Sequence, residues 1–320
     1  MIVVDSRWSG QNGIGRYATE VLSRLSVPWT PIEQTGSPSS PSDFLTKSVT
    51  VGGVTPSAVY SPGYNGFLRN VRQTVTLHDL IHLQSPAAAK YKPYYNLFLK
   101  PLIKKNGHVI TVSETSKRHI EKWLNDSSVT VVNAGNASSA AFTPVGDSHP
   151  SARPYFVYVG NLRTHKNVDT IVAAMKFIDD ADLYLVTSDR LGAERLAALH
   201  GVTDRVKVFT EVDDESLAGM YRGARATLQP SLLEGFGLPV LEAALCGSPV
   251  VFFEGCESVR EICAGGGISV ESPTDAHEWA YCMTMISQGQ TFQTELLSPE
   301  KYSWDRVAAI VSSTLERESS

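Results

Sequence analysis

The chain has 320 residues, of which 42% are hydrophobic and 19% charged, with a mean hydropathy of -0.10; this excludes a disordered chain and one built of membrane spans. The length exceeds what a single core organises, so two domains are expected. The net charge of -5 is uneven: residues 1–150 hold 14 Lys and Arg against 9 Asp and Glu, residues 151–320 hold 14 against 24, a split that disfavours a nucleic-acid binder and allows one domain to face an anionic surface.

Taken in chain order, short β-branched runs alternate with amphipathic stretches, the pattern of parallel sheets flanked by helices. Met1–Asp5 reads as a first strand, not a secretion signal, and no apolar run approaches the roughly 20 residues of a membrane span, so a cytoplasmic protein is expected. Further strands are expected at Ala58–Tyr60, Thr74–Leu77, His108–Val112 and Val129–Val132, with helices at Gly15–Leu25 and Glu114–Leu124. Pro28–Asp43, rich in Pro and Ser, reads as a surface loop. Thr143–Pro154 has three prolines and no periodicity and reads as an interdomain linker.

A second alternation follows, with strands expected at Tyr155–Val159, Asp182–Val186, Val206–Phe209, Ala226–Leu228, Val250–Phe253 and Ile268–Val270. Helices are expected at Val168–Phe177, Glu194–His200, Asp214–Tyr221, Pro239–Cys246 and Ala276–Ser287. The fold class is therefore α/β, with two units facing a cleft and ligands at the carboxyl ends of strands. Cys246, Cys256, Cys263 and Cys282 form no C-x-x-C pair and read as reduced core thiols.

The densest signal is Gln229-Pro-Ser-Leu-Leu-Glu234-Gly235-Phe236-Gly237-Leu238-Pro239-Val-Leu-Glu242. Pro239 suits the first helical position, so the loop enters a helix amino terminus, where backbone N–H groups and the helix dipole favour an anion. Glu234 and Glu242 beside an anion site suit the hydroxyls of a sugar, which donate to carboxylate oxygens. A solvated loop acid and a helix-start acid remain the plain structural alternative.

The Glu, seven residues, Glu spacing around Gly-Phe-Gly-Leu-Pro resembles the retaining glycosyltransferases of family four, which have the GT-B fold and use nucleotide-sugar donors; the resemblance covers the whole chain. It implies an acceptor domain over 1–150, a donor domain over 151–300, and a terminal helix over 301–320 that crosses back to the first. It also implies that Glu234 binds sugar hydroxyls, that Gly235, Phe236, Gly237 and Leu238 meet sugar and phosphate through the backbone, and that Glu242 holds the ribose.

Upstream, Gly160-Asn161-Leu-Arg163-Thr-His-Lys166 follows a strand and precedes a helix. Two cations in that turn suit a diphosphate leaving group, whose charge builds as the glycosidic bond breaks, without a metal. The family's Lys is matched by Lys166; its Arg after the Gly is Asn161 here, and Arg163 is the nearby candidate for that role. A pair of solvated turn cations is the plain structural alternative.

In the first half, Ser9-Gly10-Gln-Asn-Gly13-Ile14-Gly15-Arg16-Tyr17 is similar to the family's Gly-rich first loop, which implies donor-phosphate contacts at Gly13 and Gly15 and acceptor-side positions at Arg16 and Tyr17. The glycines do not complete G-x-G-x-x-G, and no acidic residue ends the next strand where a dinucleotide dehydrogenase needs one. His78, at the end of the expected strand Thr74–Leu77, matches a family His that touches the donor sugar and is the catalytic candidate with Glu234. His78 and His82 are four apart, but Asp79 replaces the Glu of a zinc helix and no third ligand is evident.

Lys90–Lys105 carries five lysines, four aromatics and no acid, which suits an anionic membrane surface with Lys100, Lys104 and Lys105 in contact; a half-buried helix with snorkelling lysines is the alternative. Pro101 is expected to bend or end that helix. Ser303 is placed as an N-cap before the apolar stripe of a last helix.

With these readings the resemblance implies a metal-independent, retaining hexosyltransferase acting by front-face transfer to a glycan or lipid-linked glycan, with no cofactor beyond the nucleotide-sugar donor. Gly-Ile-Gly-Arg-Tyr and His-Asp-Leu-Ile resemble mannosyl-transferring members and tilt the donor to GDP-mannose. A non-catalytic nucleotide-sugar sensor and a phosphorylase-like enzyme stay open as alternatives.

Overall fold

The computed structural model describes residues 2–10, 13–33, 36–38, 40, 43, 56–68, 71–84, 88–263, 266–289 and 299–319. The chain divides into two compact units, 1–137 with 300–320, and 138–299. Gln11, Asn12 and part of Pro28–Asp43 lie outside the described residues.

In the first unit, β1 (Ile2–Val4), β2 (Trp29–Pro31), β3 (Ala58–Ser61) and β4 (Arg72–Val75) form a parallel sheet in the order β2-β1-β3-β4. The strands β5 (His108–Thr111) and β6 (Thr130–Asn133) pair in parallel, and a parallel bridge from Thr76 to Ile110 links them to β4. The strand β2 falls inside the segment expected as a loop: it pairs with β1 in register Ile2 to Trp29, and buried Val27 and Ile32 on either side anchor it. Helix α1 (Gly13–Leu22) starts two residues earlier than expected and buries Gly15, Tyr17, Ala18 and Val21.

After two short helices, α2 (Ile81–Gln84) and α3 (Ala88–Pro93), a π-helical stretch at Tyr94–Leu99 runs into α4 (Lys100–Asn106). Pro101 does not end this run. At the end of the π stretch the Lys100 N–H reaches Tyr95 O, five residues back, and Pro101 falls in the first turn of α4, where no intrahelical N–H is needed. Helix α5 (Glu114–Leu124) is capped by Ser113, whose side chain accepts from Ser116 N, and closes on Asn125 in the left-handed region.

The second unit carries β7 (Tyr155–Val159), α6 (Val168–Ala174), β8 (Asp182–Val186), α7 (Arg190–His200), β9 (Val206–Phe209), α8 (Asp214–Gly223), β10 (Ala226–Gln229), α9 (Leu238–Leu245), β11 (Val250–Phe253), α10 (Glu257–Ile262), β12 (Ile268–Val270) and α11 (Ala276–Ser287). Its six strands are parallel in the order β12-β11-β10-β7-β8-β9. This is the Rossmann order, and it reverses between β7 and β10, where ligands bind beyond the strand ends. The central β7 is buried along Tyr155–Tyr158, as expected of a strand covered on both faces. Its core includes Phe156, Ile171, Leu183, Leu228, Val251 and Trp279.

The unit boundary lies at 137/138, ahead of the expected linker. Thr143–Pro154 packs on the second unit: the Arg222 guanidinium donates to Thr143 O and Asp147 O, and His149 N donates to Gly219 O. Prolines that carry no periodicity here bring backbone acceptors to one arginine. The last helix, α12 (Trp304–Ser319), belongs to the first unit. Trp304, Val307, Ala308, Val311 and Leu315 are buried, and Ser312 Oγ accepts from Ser26 N at 3.1 Å.

Candidate active site

The carboxyl ends of β7 and β10 lead into the two loops that the sequence singles out. After β7, Lys166 closes a 3-10 turn at Thr164–Lys166. After β10, the chain runs through Ser231 to Glu234, and Leu232 N donates to His165 O at 2.8 Å, tying the loops together. Lys166 Nζ donates to Glu234 Oε1 at 2.6 Å, with the two side chains 15% and 10% exposed.

Glu234 has two further anchors. Gln229 Nε2, at the end of β10, donates to the same Oε1 at 2.8 Å, and Ser258 Oγ donates to the Glu234 carbonyl at 2.8 Å. Among the described residues no donor reaches Oε2. A charge-assisted cluster of this kind holds one carboxylate oxygen and presents the other. Two neighbouring groups stay neutral: burial and the nearby Glu234 raise the Tyr158 hydroxyl well above its ordinary range, and burial with the Glu234 charge pushes the Cys256 thiol up to about 12.

Arg163 is exposed and makes no ion pair among the described residues, while Asn161 Oδ1 accepts from Arg163 N at 3.1 Å. The two cations expected on a phosphate thus differ: Lys166 pairs with Glu234, and Arg163 extends from the turn. The loop Gly235–Gly237 is buried. Gly237 has φ 106, and a Cβ there would lie 3.3 Å from Val259 Cγ2, so a left-handed turn against α10 demands glycine. That turn starts α9 at Leu238, which makes Pro239 its second residue, not its first. Glu242 is 5% exposed and accepts from Tyr221 OH at 3.2 Å; it does not join the Glu234 cluster.

In the first unit, Gly13 and Gly15 separate in role. A Cβ on Gly15 would meet Gly10 O at 2.5 Å, so this glycine lets the loop cross the start of α1, whereas Gly13 faces open space. Arg16 is half-buried on α1. Tyr17, expected on the acceptor side, is fully buried; its ring meets His78 edge-on at 4.8 Å and Trp304 at 6.1 Å. It therefore supports His78 from behind and presents no surface of its own. His78 Nε2 donates to Pro62 O at 2.9 Å, which leaves Nδ1 as the acceptor of a neutral ring, and burial lowers its pKa below the ordinary value.

His82 contacts Tyr95 OH through Nδ1 at 2.9 Å, and among the described residues no group of three His, Cys, Asp or Glu could hold a metal ion. The four cysteines are free thiols. Sequence reasoning missed Gln229, Ser258 and Tyr221 as partners of the two glutamates. The signal for Gln229 was present: an amide closing an otherwise apolar strand must find a partner once buried.

Two Rossmann-type α/β units, with a carboxylate and a cation at the switch point of the second, define a GT-B glycosyltransferase fold. Over 99% of this chain and 98% of the other, the fold matches sucrose-phosphate synthase from Thermosynechococcus elongatus, with a TM-score of 0.76 and 19% identity. Residues 145–295, within the second unit, match the family described as Glycosyl transferases group 1. The chain is 29% identical over 226 residues to the O-antigen chain mannosyltransferase RfbU of Salmonella typhimurium, covering 69% of this chain and 62% of that one. It is 28% identical over 227 residues to the O-antigen chain mannosyltransferase B of Escherichia coli, covering 64% and 58%. The matches thus span about three fifths of those curated relatives.

Proposed function

We propose that the protein is a retaining hexosyltransferase that moves a sugar, mannose from GDP-mannose in the first instance, onto a glycan or lipid-linked glycan. The observation that carries this reading is the Lys166–Glu234 pair at the β7/β10 switch point, with one carboxylate oxygen held and the other open. A nucleotide-sugar laid along the strand ends would meet a carboxylate for its hydroxyls and cations for its diphosphate. The relatives named as mannosyltransferases support the choice of sugar.

In the proposed front-face transfer, the acceptor hydroxyl attacks the anomeric carbon on the side from which the diphosphate departs. The bond from carbon to the diphosphate oxygen breaks, and the hydroxyl proton passes to that oxygen. Arg163 and Lys166 compensate the charge that builds there, without a divalent metal. His78, neutral with Nδ1 open, would accept from a sugar hydroxyl.

A panel of nucleotide-sugars, scored for donor hydrolysis with and without excess chelator, tests the reading. Turnover of GDP-mannose that survives chelation is expected, and Glu234→Ala should lower it at least about 100-fold while the protein stays folded. No turnover of any donor, or turnover that needs Mg²⁺ or Mn²⁺ restored, would count against it.

A further inference from the structure

Gln229 is 1% exposed, at the last position of β10, and the proposed chemistry assigns it nothing. Its Nε2 donates to two acceptors, Ser231 Oγ at 2.9 Å and Glu234 Oε1 at 2.8 Å. These partners fix the orientation of the amide, since the flipped form would set its oxygen against the carboxylate. Its own Oε1 is buried with no hydrogen-bond partner among the described residues. The amide thus gives up a partner for its oxygen, a costly state in a buried site, while both of its N–H groups go to the turn that carries Glu234.

Glu234 Oε1 therefore receives two donors from two directions, Lys166 from the β7 loop and Gln229 from β10. A lysine alone is a flexible point charge that would serve either oxygen of the carboxylate. The neutral amide, fixed on a strand and packed on all sides, distinguishes the two oxygens. We propose that Gln229 is a positioning residue of this site: it locks the carboxylate of Glu234 so that Oε2 alone faces outward, as the acceptor for a hydroxyl of the transferred sugar. The proposal rests on the glycosyl-transfer reading and extends it to a residue that touches no substrate.

The test is a double-mutant cycle on donor turnover with Gln229→Met, which keeps the length of the side chain and removes both donors, and Glu234→Ala. Gln229→Met should lower kcat about tenfold with KM changed less. Combined with Glu234→Ala it should add nothing, because the group it positions is gone. A merely structural glutamine would instead lower stability in both backgrounds and leave kcat per folded molecule unchanged.

A second variant protects the test against loss of folding. In Gln229→Glu the introduced carboxyl donates to Glu234 when protonated and repels it when ionised, with Lys166 the facing cation and Tyr158 the neutral neighbour. Its turnover relative to the wild type should rise between about pH 8 and about pH 5.5, around and above the ordinary carboxylate range, while the Gln229→Met ratio stays flat. Additive losses in the cycle, or parallel pH ratios for the two variants, would overturn the positioning role. Failure of the wild-type protein to turn over any nucleotide-sugar would overturn the glycosyl-transfer reading itself, and the positioning role with it.

Discussion

A histidine whose pKa is lowered by burial leaves a trace in stability. His78 packs edge-on against Tyr17 and donates through Nε2 to the Pro62 carbonyl. Burial lowers its pKa, opposed by that hydrogen bond and by Asp79. Between the folded value and the ordinary value of about 6.5, the unfolded chain binds the proton more readily than the folded one. The contribution is thus complete above about 6.5 and is lost as the pH falls from there through the lowered folded value. Urea unfolding at about pH 7.5 and about pH 5.5 should show a loss of stability on acidification that is smaller in His78→Gln, which keeps a donor to Pro62 and cannot titrate. An identical pH dependence in the two proteins would mean that His78 is not held neutral.

At the scale of the element, the lysines of the helical run from Ala88 to Asn106 differ in exposure. Lys100 Nζ donates to Trp123 O at 2.6 Å, and Lys104 pairs with Asp126 at 3.2 Å; both are tied to neighbours in the first unit. Lys90, Lys92 and Lys105 are exposed, together with Leu97, which is 79% exposed. The proposed contact with an anionic membrane surface therefore shifts from Lys100 and Lys104 to these residues, with Lys105 common to both sets. No helix among the described residues is long and apolar enough to cross a membrane. Co-sedimentation with anionic vesicles should fall strongly when Lys90, Lys92 and Lys105 become Gln, and fall little when Lys100 and Lys104 do. Raising salt from about 0.1 M to about 1 M should abolish it, as the screening length drops from about 10 Å to about 3 Å. Equal binding by the two variants, or binding to neutral vesicles alone, would reduce the stretch to a half-buried helix.

On the scale of the whole molecule, the last twenty-odd residues belong with the first hundred. Helix α12 packs on α1 and buries Trp304, Val307 and Val311, and the Trp304 ring stands 6.1 Å from that of Tyr17. The first unit is thus assembled from the two ends of the chain, and its core is complete only when residues 300–320 have returned. Trp304→Ala should cost about 3–5 kcal/mol, the range for truncating a buried Trp or Phe. The loss should appear in the unfolding transition of the first unit, followed by the fluorescence of Trp8 or by hydrogen exchange in α1. A shift of under about 1 kcal/mol would mean that α12 rests on the unit without sharing its core.

What the sequence by itself determined is local and chemical. Runs such as Tyr155–Val159 and Asp182–Val186 declare buried parallel strands because β-branched and aromatic residues fit a sheet covered on both faces. The Glu234–Glu242 motif declares a turn into a helix because glycine and proline allow few other backbones. Tertiary structure alone decided which partners these residues take. Lys166 and Glu234 are 68 positions apart, and their pairing depends on β7 and β10 lying side by side. Tyr17 reads as an acceptor-side residue until its burial beside Trp304 of α12 is seen, and Thr143–Pro154 reads as a linker until Arg222 collects its carbonyls. Local pattern sets backbone preference over a few residues, whereas ion pairs, buried amides and covered faces depend on strand order, which joins residues far apart in the chain.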